Sequence, residues 1–359
     1  MRQPERVLIY RLGSLGDTVV ALPSLHLVAR AFPGAERRIL TNIPVNGKAA
    51  PIQSILEGTG LAHGYFRYPI STRSGRILKE LRAEISAWKP QVLVYLAAAR
   101  GISKAIRDAL FFAACEIPRM IGLPLSHERQ RRQFDPATGL YESEAGRLAR
   151  CLSAIGDGQV EDTCSWDLLL SHEMHTAEGL LQKMGEAVPL IACCPGTKCD
   201  SKDWGAANWR CLLERLNDLF PGAGMIFLGA LDERELCDSV SRAWAGRSLN
   251  LCGLVSPRES AAITKMSALL IGHDSGPMHL AAAVGTPSVS IFSARNKPGE
   301  WFPFGYPRNH KVIYHKMDCY GCGLDDCIVH MKKCIASIAV DEVLDNVVDL
   351  WRSLNFGHV

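Results

Sequence analysis

Val7-Leu8-Ile9-Tyr10-Arg11-Leu12-Gly13-Ser14-Leu15-Gly16-Asp17 reads as an apolar strand, a turn carrying two glycines, and the opening of a helix. Four consecutive apolar residues suit a strand buried on both faces, and an amphipathic helical pattern follows near Thr18–Ala31. The rhythm recurs. In the first half, strand-like runs stand at Val7–Tyr10, Arg38–Thr41, Val92–Leu96 and Met120–Leu123; helical patterns lie near Gly75–Trp88, Ser103–Ala114 and Ser143–Ile155. It restarts with strands at Leu190–Cys194, Met225–Leu228, Leu249–Cys252, Leu269–Ile271 and Ser288–Phe292. Helical patterns there lie near Asn208–Phe220, Glu233–Ala245, Pro257–Ser267 and Met278–Val284, and Asp341–Leu354 closes the chain. Short strands alternating with helices predict βαβ units and parallel sheets. The periodicity breaks near Lys183–Pro189, which predicts domains at residues 1–184 and 185–359. Two doubly wound domains would face a central cleft and bind ligands at the carboxyl ends of their strands.

Composition narrows the function. The chain has 359 residues, 47% hydrophobic and 21% charged, ordinary for a folded protein of two domains. A net charge of +3 excludes a dedicated nucleic-acid binder. Residues 1–180 hold 22 Lys+Arg against 18 Asp+Glu, and residues 181–359 hold 18 against 19, so the first half is the better face for an anionic partner. No apolar run reaches the roughly 20 residues of a membrane span, and no signal-peptide layout precedes the first strand. These features predict a cytoplasmic protein with reduced thiols. Cys115, Cys193, Cys194, Cys211, Cys237 and Cys252 lie in apolar stretches and are expected in the core.

Four motifs carry chemistry. In Arg11–Asp17, Gly13 and Gly16 let the backbone approach a ligand, and the G-x-x-G spacing is not that of a dinucleotide fingerprint. Asp17 fits two readings, the cap of the helix or a general base for an acceptor hydroxyl. Cys194-Pro195-Gly196-Thr197-Lys198-Cys199-Asp200-Ser201-Lys202-Asp203-Trp204 offers a hydroxyl and two ammonium groups suited to a diphosphate, or a solvated polar loop. In His273-Asp274-Ser275-Gly276-Pro277-Met278-His279, Pro277 suits the first helical position and Ser275 or Gly276 the cap. Such a helix start favours a phosphate, while His279 also reads as a packed core histidine. Cys319-x2-Cys322-x4-Cys327-x6-Cys334 fits either a tetrahedral zinc site or structural thiols.

The stretches RVLIYRLGSLGDTVVALPSL, PGTKCDSKDW, FLGALDERE and GHDSGPMHLAAAVGTPSVSIF, in that order, together resemble glycosyltransferase family 9, the ADP-heptose:lipopolysaccharide heptosyltransferases. The Cys-rich segment 319–334 also resembles that of many members. The resemblance implies a GT-B fold of two Rossmann-like domains, with the acceptor on the N-terminal side and the nucleotide sugar on the C-terminal side. It implies inverting transfer with no cofactor or metal required. Asp17 would be the base, and Gly13, Ser14 and Gly16 its acceptor-side loop. Thr197, Lys198 and Lys202 would hold the donor phosphates, Glu233 the donor ribose, and Asp274, Ser275, Gly276 and His279 the donor-binding helix start.

Arg129, Arg131 and Arg132 are expected to bind an acidic glycolipid acceptor, with Arg73, Arg76, Arg100, Lys104 and Arg107 as further cations of the same domain. The expected partners are a nucleotide sugar, a glycan or glycolipid acceptor and the anionic inner face of the cytoplasmic membrane. Two alternatives stand beside this: a different nucleotide sugar or acceptor (O-antigen, capsule, secondary metabolite), and a catalytically silent nucleotide-binding module.

Overall fold

The computed structural model describes residues 3–43, 50–69, 72, 74–168, 170–185 and 189–354. The chain divides into two compact units, Met1–Leu169 and Leu170–Val359. The second unit thus opens ahead of the expected restart at residue 185, because the helix Ser171–Leu181 is tied to it by the Glu173–Arg258 ion pair at 2.5 Å.

In the first unit the strands are β1 (Arg6–Tyr10), β2 (Glu36–Ile43), β3 (Gly64–Pro69), β4 (Val92–Tyr95), β5 (Arg119–Ile121) and the hairpin β6 (Phe134–Asp135) and β7 (Leu140–Tyr141). The helices are α1 (Leu15–Val19), α2 (Leu22–Ala31), α3 (Gln53–Leu56), α4 (Gly75–Trp88), α5 (Ile102–Ala114), α6 (His127–Gln130) and α7 (Glu144–Cys151). The five-stranded sheet runs β3-β2-β1-β4-β5, all parallel. Leu8, Tyr10, Leu40, Leu93, Tyr95 and Phe112 pack one face of it. The helix expected over residues 18–31 is two helices, since Pro23, which lacks an N–H, suits the first turn of a new one.

The second unit has β8 (Leu190–Cys194), β9 (Gly224–Phe227), β10 (Ser248–Asn250), β11 (Leu269–His273), β12 (Ser288–Phe292) and β13 (His310–Tyr314). Its helices are α8 (Ser171–Leu181), α9 (Ala206–Leu219), α10 (Arg234–Ser241), α11 (Pro257–Lys265), α12 (Gly276–Val284), α13 (Lys333–Ala336) and α14 (Val340–Ser353). Its six-stranded parallel sheet runs β10-β9-β8-β11-β12-β13. Trp209, Leu212, Leu213 and Leu216 of α9 bury their stripe against Phe227 and Ile271. Cys211 lies on the opposite side of that stripe and is exposed, a correction to its expected place in the core. The other five cysteines expected there are buried.

Each unit is therefore Rossmann-like and doubly wound. In each, the strand order reverses beside the first strand, between β1 and β4 and between β8 and β11. At such a switch point neighbouring crossover connections leave in opposite directions, which opens a crevice at the carboxyl ends of the strands. The loops after β1, β8 and β11 are the motif loops of the sequence.

Candidate active site

In the first unit the chain leaves β1 at Tyr10 and turns at Gly13, whose φ of +125° suits glycine. A Cβ there would also collide with the side chain of Asp17. Ser14, not Asp17, is the N-cap of α1, correcting the capping alternative for Asp17. Asp17 stands three residues on, where its Oδ2 accepts from the Ser14 backbone N–H at 2.9 Å. The Gly13 N–H donates to the Asn42 side-chain oxygen at 2.9 Å, which joins the turn to the end of β2. The Asp17 carboxyl remains 31% exposed, so an oxygen can still meet a ligand. Beneath it lies Arg11, buried, donating to the Leu96 carbonyl at 2.6 Å and to the Asp17 main-chain carbonyl.

The expected acceptor cations separate. Arg129 and Arg131 are exposed around α6, where Ser126 caps the helix by accepting from the Arg129 N–H at 3.3 Å. Arg132 turns inward and pairs at 2.8 Å with the fully buried Glu144, because an unpaired carboxylate there would be costly. Arg100 and Arg107 both pair with Asp108, at 2.6 and 2.7 Å, and Arg100 also donates to the hydroxyls of Tyr10 and Tyr95. Burial dominates the shift that raises the Tyr95 phenol well above its ordinary range. Arg76 is paired with Glu80 on the outer face of α4, Lys104 is exposed, and Arg73 lies outside the described residues.

In the second unit, Glu233 joins two loops. It ends a short 3-10 turn after β9, and its Oε2 accepts from the Ala230 N–H at 2.7 Å. Its carboxyl lies against Gly196 and Gly229 so closely that a Cβ at either would collide with it. The loop after β8 is therefore glycine at that point for space. Thr197 accepts from the Cys199 N–H at 3.5 Å, and Lys198 follows it. Lys202 reaches the loop after β11: its Nζ donates to the Asp274 main-chain carbonyl at 2.9 Å and stands 2.8 Å from Asp274 Oδ2. That second approach lies off the hydrogen-bond direction, so Oδ2 has an ionic partner but no aligned donor among the described residues.

Ser275 caps α12, as one of the two expected choices. Gly276 takes the first helical position and Pro277 the second, a correction to the expected place of Pro277, and at either the missing N–H loses no helical bond. His279 is buried beside Trp301, with ring centroids 6.2 Å apart. His273, quoted in the motif but not singled out, clamps the loops. Its Nε2 accepts from the Trp204 N–H at 3.2 Å, and its Nδ1 lies 3.4 Å from the Gly196 carbonyl, which fits a neutral ring donating at Nδ1. Burial pushes its pKa down to about 4, which keeps the ring neutral.

Of the four late cysteines, Cys327 is buried, Cys322 exposed, and Cys319 and Cys334 half-buried. Among the described residues no group of three or more His, Cys, Asp or Glu side chains is arranged to hold a metal ion, so the zinc alternative finds no support in the arrangement. Sequence reasoning missed Arg11, Glu144 and His273 as contributors. Arg11 had a local signal, a lone charge between a buried strand and a glycine turn; Glu144 had none.

The glycosyltransferase family 9 (heptosyltransferase) sequence model matches residues 151–329. Lipooligosaccharide heptosyltransferase 2 of Campylobacter jejuni is 23% identical over 353 residues, 97% of this chain and 99% of that protein. The crystal structure of a glycosyl transferase family 9 protein from Veillonella parvula matches with a TM-score of 0.71 at 20% identity, covering 97% of this chain and 98% of that one. The E. coli heptosyltransferase WaaC, solved with ADP-2-deoxy-2-fluoro heptose, matches with a TM-score of 0.61 at 17% identity, covering 96% and 99%. The family resemblance and the expected GT-B class, with two Rossmann-like units, are thus borne out.

Proposed function

We propose that this chain, a glycosyltransferase enzyme of the family 9 kind, moves a heptose from ADP-heptose to a lipopolysaccharide inner-core acceptor by inverting, metal-independent displacement. The observation that carries the reading is the meeting of three loops at the carboxyl ends of β8, β9 and β11. There the Glu233 carboxylate lies over Gly196 and Gly229, and the Lys202 ammonium is fixed on Asp274. A carboxylate suits a ribose hydroxyl, and an ammonium beside the N-terminus of α12 suits a diphosphate.

The first unit takes the acceptor. Asp17, its carboxyl partly open to solvent, removes a proton from the acceptor hydroxyl as that oxygen attacks the anomeric carbon. Charge gathers on the departing ADP, and Lys202, Thr197, Lys198 and the amides at Ser275 and Gly276 stabilise it. One carboxylate is enough, since the new bond forms on the face opposite the bond that breaks. Arg129 and Arg131 serve the acidic acceptor.

Peripheral association with the anionic cytoplasmic leaflet completes the reading. It is supported by the outer face of α5, where Ile106 and Leu110 are 48% and 66% exposed beside Lys104 and Arg107, cations that complement lipid phosphates. Among the described residues no helix is long and apolar enough to cross a membrane. Co-sedimentation with anionic but not zwitterionic vesicles tests this part.

The main test is transfer from ADP-heptose to purified inner-core acceptor in the presence of EDTA, with product anomers read by NMR. Asp17→Asn should abolish turnover and leave ADP affinity near wild type. A kcat within about tenfold of wild type, a barrier change of only ~1.4 kcal/mol, would remove Asp17 from the role of base.

A further inference from the structure

Arg11 is buried to 1% exposure, a place where a folded protein ordinarily puts an aliphatic side chain. It touches Asp17 twice, donating to its main-chain carbonyl and standing 3.8 Å from its Oδ1. The donation to the Leu96 carbonyl pins the same guanidinium to the end of β4. Its Nε meets no acceptor among the described residues. Behind it stands a second layer of charge. Glu144, fully buried at the start of α7, accepts both arms of the Arg147 fork at 2.7 and 2.8 Å, together with Arg132 at 2.8 Å. Arg147 in turn donates to the Ala97 carbonyl at 3.2 Å and approaches Cys151 Sγ at 3.9 Å. Adjacent carbonyls of the loop after β4 are thus held by Arg11 and Arg147.

We infer that Arg11 is the positioning residue for Asp17, and that Glu144 sets the charge behind it. The inference rests on the reading of Asp17 as the base. Asp17 belongs to a helix of five residues that is too short to hold itself in place. The Arg11 fork supplies the missing constraint, gripping the Asp17 backbone and facing its carboxylate with fixed positive charge. Burial works against the Arg11 charge, Asp17 and Glu144 support it, and Arg147 opposes it. Charges of alternating sign therefore run from the partly exposed Asp17 through the buried Arg11 to the buried Glu144 and on to Arg147 and Arg132. Among the described residues, Ser14 also faces the carboxylate, through its N–H and hydroxyl.

An arrangement of this kind has a signature that simple structural support lacks. Removing the cation and removing the buried anion must displace the acid limb of the rate profile in opposite directions. The experiment measures kcat against pH and ADP affinity by calorimetry for wild type, Arg11→Met, Arg11→Lys, Glu144→Gln and Asp17→Asn. In Arg11→Met, kcat should fall about tenfold or more with ADP affinity unchanged, and the acid limb should move to higher pH. Arg11→Lys, which keeps the charge but not the fork, should restore the position of the limb. Glu144→Gln should move the limb to lower pH. If Arg11→Met does not fold, the Lys and Gln variants decide the matter, since Glu144→Gln alone should displace the limb. An unmoved limb in the folded Arg11 and Glu144 variants, beside an inactive Asp17→Asn, overturns the inference and leaves the functional reading standing. A wild-type chain without transfer, or an active Asp17→Asn, overturns both.

Discussion

Replacing Lys202 by methionine should do two separable things. The first is to stability. Lys202 is 14% exposed and Asp274 4%, so the substitution leaves a nearly buried carboxylate without its ionic partner. Breaking such a pair costs about 3–5 kcal/mol, and since water reaches the ammonium side the lower end, about 3 kcal/mol, applies. At about 2–4 °C per kcal/mol for a unit of this size, the melting temperature should fall by about 6–12 °C. The second effect is on binding. A charge-assisted contact to a diphosphate contributes about 1.5–3 kcal/mol, so the ADP Kd should rise about ten- to a hundredfold. Adding Asp274→Asn removes the stranded charge while leaving the phosphate contact absent. The double variant should therefore recover most of the melting temperature and none of the affinity. Scanning calorimetry and titration calorimetry at one salt concentration measure both. A Lys202→Met protein that melts like wild type would refute the role of the ion pair, and a double variant that regains ADP affinity would refute the phosphate role.

Gly196→Ala should drive its new Cβ into the Glu233 carboxyl, whose side chain can swing away, so stability should change little while ADP-heptose affinity falls severalfold; equal donor affinity would remove Glu233 from the donor site. His273 and His310 are both held near pKa 4 by burial, against an ordinary value of 6.5. The folded protein therefore binds fewer protons than the unfolded chain between these values, and stability present above pH 6.5 is lost as pH falls toward 4, by up to about 3 kcal/mol per histidine. Urea midpoints at pH 7 and pH 5 for wild type and His310→Gln check this, and equal pH slopes would count against it. Arg129→Gln/Arg131→Gln, with Arg132 left in its ion pair, should raise acceptor KM and flatten its salt dependence without altering ADP affinity; an unchanged KM at low salt would exclude these two arginines from the acceptor site.

Local pattern determined a good part of this protein. The apolar runs that became β1, β4, β8 and β11 are buried on both faces, so each reads as a continuous hydrophobic segment. The loops after β1, β8 and β11 were legible for a related reason: glycines, cap residues and lone charges next to such a run have little packing use. Of the strands that did not stand out, β6 and β7 form a hairpin of two residues a side, and β3 and β13 lie at sheet edges. An edge strand pairs on one side and meets solvent on the other, so Arg67 and Lys311 can interrupt the apolar pattern at little cost. The tertiary structure alone decided which charges are spent inside. Arg132 looked like its neighbours Arg129 and Arg131 until α7 brought Glu144 beneath it, and Lys202 looked solvated until β11 delivered Asp274. A period of two or 3.6 residues records which face of an element is dry. The fate of a charge depends on a partner far along the chain, and only folding brings the two together.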